Sequence, residues 1–240
     1  MDHFAVTQMP HTASSGAFLA STPVLPPKSL NTSIYLDLNH FSRQTAWAHG
    51  FMHNYALWLG PVLLAVFFVA AYAVAWWRGA SRVAALLILG GIGELVSLGL
   101  NQVIGHAAKE LRPYATHPNA LVLVAKANDY SFPSDHSIVA GGLTASLLLV
   151  LGAELWERSR AGVVPTAVRA FAALNVVLGL FLCFARVYVG AHYPGDVVAG
   201  YLLSSLVVVV FSLLRPLAYR AVDAIEPTPL GALLRRPAPA

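Results

Sequence analysis

Residues 55–77 read YALWLGPVLLAVFFVAAYAVAWW, a run without one charged side chain. At about 1.5 Å per residue, a helix of that length crosses the ~30 Å hydrocarbon core of a bilayer. The run closes on Trp76, Trp77 and Arg78, aromatic then basic, the order of a membrane–water interface. It is far too long for a strand and shows no alternation. Four more apolar runs follow, at 83–105, 137–152, 168–189 and 197–214. The second contains Glu94, Asn101 and Gln102, and the third reaches span length if its helix begins near Ser134. Backbone groups in lipid must be paired within the segment, so the expected fold is all-α, a polytopic membrane helix bundle with five spans. Composition agrees: 57% of the 240 residues are hydrophobic and 11% charged. That excludes overall disorder, and it leaves too little polar surface for an ordinary soluble enzyme. The net charge of +4, from 15 basic against 11 acidic residues, is too modest and scattered for nucleic-acid binding. Cys183 is the single cysteine; it has no internal disulfide partner and reads as packing.

Three parts are expected. Residues 1–53 form a lead-in, 54–218 the membrane domain and 219–240 a cytoplasmic tail. The lead-in lacks the basic start and apolar run of a signal peptide. Its first 35 residues, rich in Pro, Ser and Thr, read as a flexible arm. Residues 34–53 mix apolar and polar positions and read either as a short helix at the membrane surface or as an irregular lead-in. Arg78 and Arg82, then Arg158, Arg160 and Arg169, then Arg215, Arg220, Arg235 and Arg236 all fall on one side, which positive residues mark as cytoplasmic. The loop 106–136 and the turn 190–196 then face outward together.

Those outward segments carry most of the remaining charge. The first holds Lys109, Glu110, Arg112 and Pro113, followed by Ser131-Phe132-Pro133-Ser134-Asp135-His136. The second runs from Arg186 through His192 and Pro194 to Asp196. Arg112 and Arg186 offer planar forks suited to phosphate oxygens, and Lys109 a point charge. Pro133 and Pro194 suit the start of a helix, which sets Ser134, Asp135 and Asp196 at helix N-termini, where anions are favoured. Asp196 follows His192 by one helical turn and is placed to accept its Nδ1 proton, freeing the other nitrogen for attack. Taken singly, Arg112 reads equally as a snorkelling anchor, Ser134 as a cap and His136 as an interfacial imidazole. The combination is far more specific.

That combination resembles the type 2 phosphatidic acid phosphatase superfamily of membrane lipid phosphatases, over about residues 55–215. The third motif, Arg186 to Asp196, matches without departure. The second usually reads Pro-Ser-Gly-His; here Asp135 replaces the glycine. With Ser131, Phe132 and Glu110, this variant looks like the bacterial undecaprenyl-diphosphatase branch. The first motif departs: the family lysine seven residues before Arg112 is Gly105, and Lys109 lies four residues later. The resemblance implies that His192 attacks phosphorus and forms a phospho-histidine, Asp196 orients it, and His136 protonates the leaving oxygen. Arg112, Arg186, Lys109 and Ser134 would hold the phosphate, with no metal or cofactor. Asp135 is expected to hold Lys109 or an arginine, or to be partly protonated. The implied partners are a polyprenyl or other lipid phosphate and the bilayer, at the outer face of a bacterial plasma membrane with the C-terminus cytoplasmic. Hydrolysis of the diphosphate would regenerate the carrier of cell-wall precursors.

Alternatives within the family are phosphatases of phosphatidylglycerophosphate, phosphatidate or lipid A; outside it, a non-catalytic lipid transporter. Glu94 reads as a structural carboxyl, as a wall of a tail cavity, or as a partner of Asn101, Gln102 or Asn175. Gly90, Gly91, Gly93, Gly99, Gly141 and Gly142 invite close helix contact. Tyr188 and Tyr193 read as interfacial anchors, and His106 and His117 as bystanders. Residues 121–127 are expected to form a short helix over the site.

Overall fold

The computed structural model describes residues 29–161 and 163–236, with the backbone alone for 156–161. Among them every regular element is helical: α1 (Leu30–Gln44), α2 (His49–Asn54), α3 (Gly60–Trp77), α4 (Ser81–Ala108), α5 (Pro113–Thr116), α6 (Asp135–Ala161), α7 (Thr166–Tyr188), α8 (Pro194–Phe211) and α9 (Arg215–Ile225). A π-helical turn, Tyr55–Leu59, joins α2 to α3 in one rod, Ala46–Trp77. That rod with α4, α6, α7 and α8 makes five helices long and apolar enough to cross a membrane.

Helix α6 is the central post, packed against α4, α7 and α8. Its small residues set those distances. A Cβ on Gly141 would stand 2.2 Å from the Tyr201 carbonyl oxygen of α8, and one on Gly142 would stand 1.6 Å from Glu94 Oε2 of α4. Glu94 is thus packed against bare backbone in the bundle interior. Neither of its oxygens has a hydrogen-bond partner among the described residues, so of the three readings the network with Asn101, Gln102 or Asn175 does not form. Those amides are used elsewhere: Asn101 and Gln102 on Asp135, Asn175 on the Phe171 carbonyl. Gly141→Ala forces backbone apart, so it is expected to destabilise the bundle by about 3 kcal/mol. A melting temperature in detergent equal to that of the parent protein would contradict this packing.

One segment differs from expectation. Helix α1 begins at Leu30, inside the stretch read as an arm, because Ser29 Oγ caps it by accepting from Thr32 N at 3.2 Å. It breaks at Thr45, and from Ala46 the chain already belongs to the first rod. The arm up to residue 28 lies outside the described residues. At the other end, α9 and the chain after it cross the ends of α3 and α4. Arg82 pairs with Asp223 at 3.0 Å, Arg235 with Glu226 at 2.9 Å, and Trp76 Nε1 donates to the Ala232 carbonyl at 2.6 Å.

Candidate active site

The turn between α7 and α8 places the first functional side chain. Gly190 turns the chain at φ +78°, and Pro194 starts α8 two residues after His192. Asp196 closes the turn by accepting from Tyr193 N at 2.9 Å. His192, 2% exposed, therefore precedes the helix, and the one-turn geometry expected of His192 and Asp196 does not apply. Its Nδ1 stands 3.6 Å from Asp196 Oδ2 and donates instead to the Ser131 carbonyl at 2.8 Å. The Ser131 hydroxyl donates to that same Asp196 oxygen. Ser131 is a site residue that sequence reading used only as a signature of the branch; here it links imidazole and carboxylate. Its own amide is fixed by the Glu110 carbonyl at 2.8 Å.

With the proton on Nδ1, the Nε2 lone pair is free, and two guanidiniums converge on it. Arg112 Nη1 donates to Nε2 at 3.1 Å and Arg186 Nη2 at 3.2 Å. Burial, joined by these two cations, holds the His192 imidazole well below its ordinary range, against the pull of Asp196. His192 is therefore neutral, the form a nucleophile requires. Both arginines are buried, at 8% and 5% exposure. Arg112 stands in extended conformation at the start of α5 and also donates to the Ala191 carbonyl at 3.1 Å. Its outer fork grips Asp129, Nε to Oδ1 at 2.5 Å and Nη2 to Oδ2 at 2.9 Å. Asp129, a partner that sequence reading missed, has its carboxyl raised by burial but brought below the usual carboxylate range by these bonds.

The first rod supplies the remaining supports, for a reason visible in Gly60-Pro61. Gly60 N donates five residues back, to the Tyr55 carbonyl, so the Ala56 carbonyl loses its helical donor. Pro61 has no N–H, so the Leu57 carbonyl loses its donor as well. The two freed carbonyls accept from the site: Ala56 from Arg186 Nη1 at 3.3 Å, and Leu57 from His136 Nε2 at 3.4 Å. Turns of this kind occur often at functional sites.

These groups surround a cavity of about 200 Å³, lined by Arg112, Arg186, His136, His192, Asp129 and Asp135, with Leu57, Tyr114, Ala191 and part of residues 124–127. Asp135 is held by Asn101 at 2.5 Å and Gln102 at 3.2 Å, not by Lys109 or an arginine as expected. Lys109 does not line the cavity. It ends α4 in a left-handed conformation, φ 52°, with its side chain exposed. Ser134 is fully buried, and its amide, not its hydroxyl, is bonded, to the Asp196 carbonyl at 3.2 Å. Residues 121–127 cross the site as irregular chain rather than a helix. Their backbone groups bond to other elements: Leu121 to Asn39 in both directions, and Leu123 N to the Val189 carbonyl.

A neutral imidazole with its lone pair aimed between two buried guanidiniums can bind a tetrahedral anion and attack it. In a five-span helical bundle such a site suits chemistry on a phosphorylated group. The model of the PAP2 superfamily matches residues 83–220, more than half of the chain, and the chain belongs to that superfamily of phosphatases. The protein named undecaprenyl-diphosphatase BcrC, from Bacillus subtilis (strain 168), is 30% identical, over 74% of this chain and 89% of its own. A Sulfolobus acidocaldarius protein named undecaprenyl-diphosphatase is 29% identical over 48% of this chain; the match spans about half of that relative, 48%. A solved PAP2-type phosphatidylglycerolphosphate phosphatase from Bacillus subtilis covers 79% of this chain and 94% of its own, at 19% identity and a TM-score of 0.35.

Proposed function

We propose that this protein hydrolyses undecaprenyl diphosphate to undecaprenyl phosphate and inorganic phosphate. The observation that carries the reading is the convergence of Arg112 and Arg186 on Nε2 of His192, at 3.1 and 3.2 Å. The relatives named undecaprenyl-diphosphatase support the choice of lipid. An entering terminal phosphate takes over the two guanidiniums, which releases Nε2 to attack phosphorus. A nitrogen–phosphorus bond forms as the bond to the bridging oxygen breaks, and His136, which enters this step as the imidazolium, gives that oxygen a proton. Water, deprotonated by His136, then cleaves the phospho-histidine, which yields phosphate and restores Nε2. Asp196, acting through Ser131 and across 3.6 Å, steadies the positive charge on the ring. Arg112 and Arg186 supply the charge that a metal ion would otherwise provide.

The site lies at the bundle end opposite Arg78, Arg82 and Arg215. The positive-inside bias therefore supports an extracytoplasmic site, with the C-terminus in the cytoplasm. A headgroup can enter there while its tail stays in the bilayer. The test is phosphate release by purified protein in detergent with a chelator present. Undecaprenyl diphosphate, phosphatidylglycerophosphate and phosphatidate are compared. Preferential release from the diphosphate is expected. Preference for a glycerolipid monoester would move the enzyme to phospholipid metabolism. Loss of activity on chelation, restored by magnesium, would overturn the metal-free chemistry.

A further inference from the structure

Asp129 takes no part in the chemistry above, yet it holds one of the two cations. Its two carboxylate oxygens lie on the Nε–Nη2 edge of Arg112, the fork that binds phosphate in two parallel hydrogen bonds. The remaining terminal nitrogen, Nη1, is spent on Ala191 and His192. With Asp129 in place the Nε–Nη2 edge is closed, and an incoming anion can take from Arg112 only the Nη1 contacts now made to Ala191 and His192.

The segment that carries Asp129 is tied to the body at few points. Residues 125–130 are exposed and irregular, while Val124, Ala125, Ala127 and Asp129 form one wall of the cavity. The segment is fixed at one end by Leu123, whose carbonyl accepts from His53 Nδ1 at 2.6 Å, and at the other by Ser131. Between those points it is held to the body through Tyr114, whose hydroxyl bonds both backbone groups of Ala127, and through Asp129 on Arg112. The Asp129 side chain is 53% exposed, against 9% for Arg112, so on release its carboxylate is readily resolvated. A neighbouring cavity of about 470 Å³, lined in part by Asn128, Asp129 and Tyr130, offers room for it.

We propose that Asp129 is a latch: an internal anion that occupies the Arg112 fork until a phosphate group displaces it, together with residues 124–130. The proposal rests on the phosphatase reading of the site. A ligand that binds only the open form has its affinity reduced by the open fraction. A latch shut in about nine molecules of ten therefore weakens phosphate binding about tenfold.

The probe is inorganic phosphate, and the readout is its dissociation constant from the rise in melting temperature of the full chain in detergent. Asp129→Asn keeps the shape and removes the charge. Its phosphate affinity is expected to rise about tenfold, with KM for the lipid falling in parallel. A purely supporting role predicts the reverse, because an unsupported Arg112 binds phosphate less well. Removal of a negative charge could also help by its field alone, so the same substitution is made in Arg112→Ala. A latch has nothing to release there, and the gain disappears; a gain that persists overturns the proposal. Equal or weaker binding by folded Asp129→Asn also overturns it. Phosphate binding to neither parent nor variant overturns the phosphatase reading itself, and the latch with it.

Discussion

Replacement of His192 by alanine is expected to lower turnover by at least about 10⁴-fold. The substitution removes Nε2 and leaves the rest of the machinery standing: two buried guanidiniums, the Ser131 carbonyl and Asp196. Those groups still bind and polarise a phosphate, so KM should change far less than kcat. Folding should survive, because a cavity of about 200 Å³ already lies beside the ring and the turn is fixed by Pro194, Asp196 and Gly190. Rapid quenching with phosphorus-labelled substrate should trap an acid-labile, base-stable label in the parent protein and none in the variant. Turnover within tenfold of the parent would remove His192 from the nucleophile's role.

His136→Asn should cost about 10² to 10⁴-fold with a glycerolipid monoester such as phosphatidate, the range of a lost general acid. The size of the loss should depend on the leaving group. The alkoxide released from a glycerolipid monoester is a poor leaving group without a proton, whereas a polyprenyl phosphate or an acidic phenol is a weak base and needs little help. The penalty should therefore shrink markedly with the aryl ester. An equal loss with both substrates would mean that His136 serves binding or the hydrolytic step instead.

The spans were legible because lipid imposes one solution on long apolar runs, and the parity of five spans brought three distant segments to one end. Most of the site followed from that, since Arg112, His136, Arg186 and His192 line one cavity. What escaped had physical causes. Helix α1 buries Tyr35, Asn39 and Ser42 while Leu30, Ile34 and Phe41 face outward; its inner face is polar, so apolar periodicity marks the wrong side. Asp129 and Ser131 act through irregular chain, where spacing carries no geometry. Lys109 shares a helical face with Gly105 only if α4 continues past it; the helix stops there, and the side chain leaves the site. The signal for the first rod's role was present in Gly60-Pro61, since a proline inside an apolar run necessarily frees a carbonyl.

That rod ties the chemistry to the solvent around it. The carbonyls of Ala56 and Leu57 belong to the same helix whose far end carries Trp76, Trp77 and Arg78 at the opposite interface. A spanning helix longer than the bilayer around it can answer the mismatch by tilting. Tilt of this one carries Ala56 and Leu57 with it, and so displaces the supports of Arg186 and His136. Turnover is therefore expected to vary with acyl-chain length, which rates in vesicles of graded thickness would check.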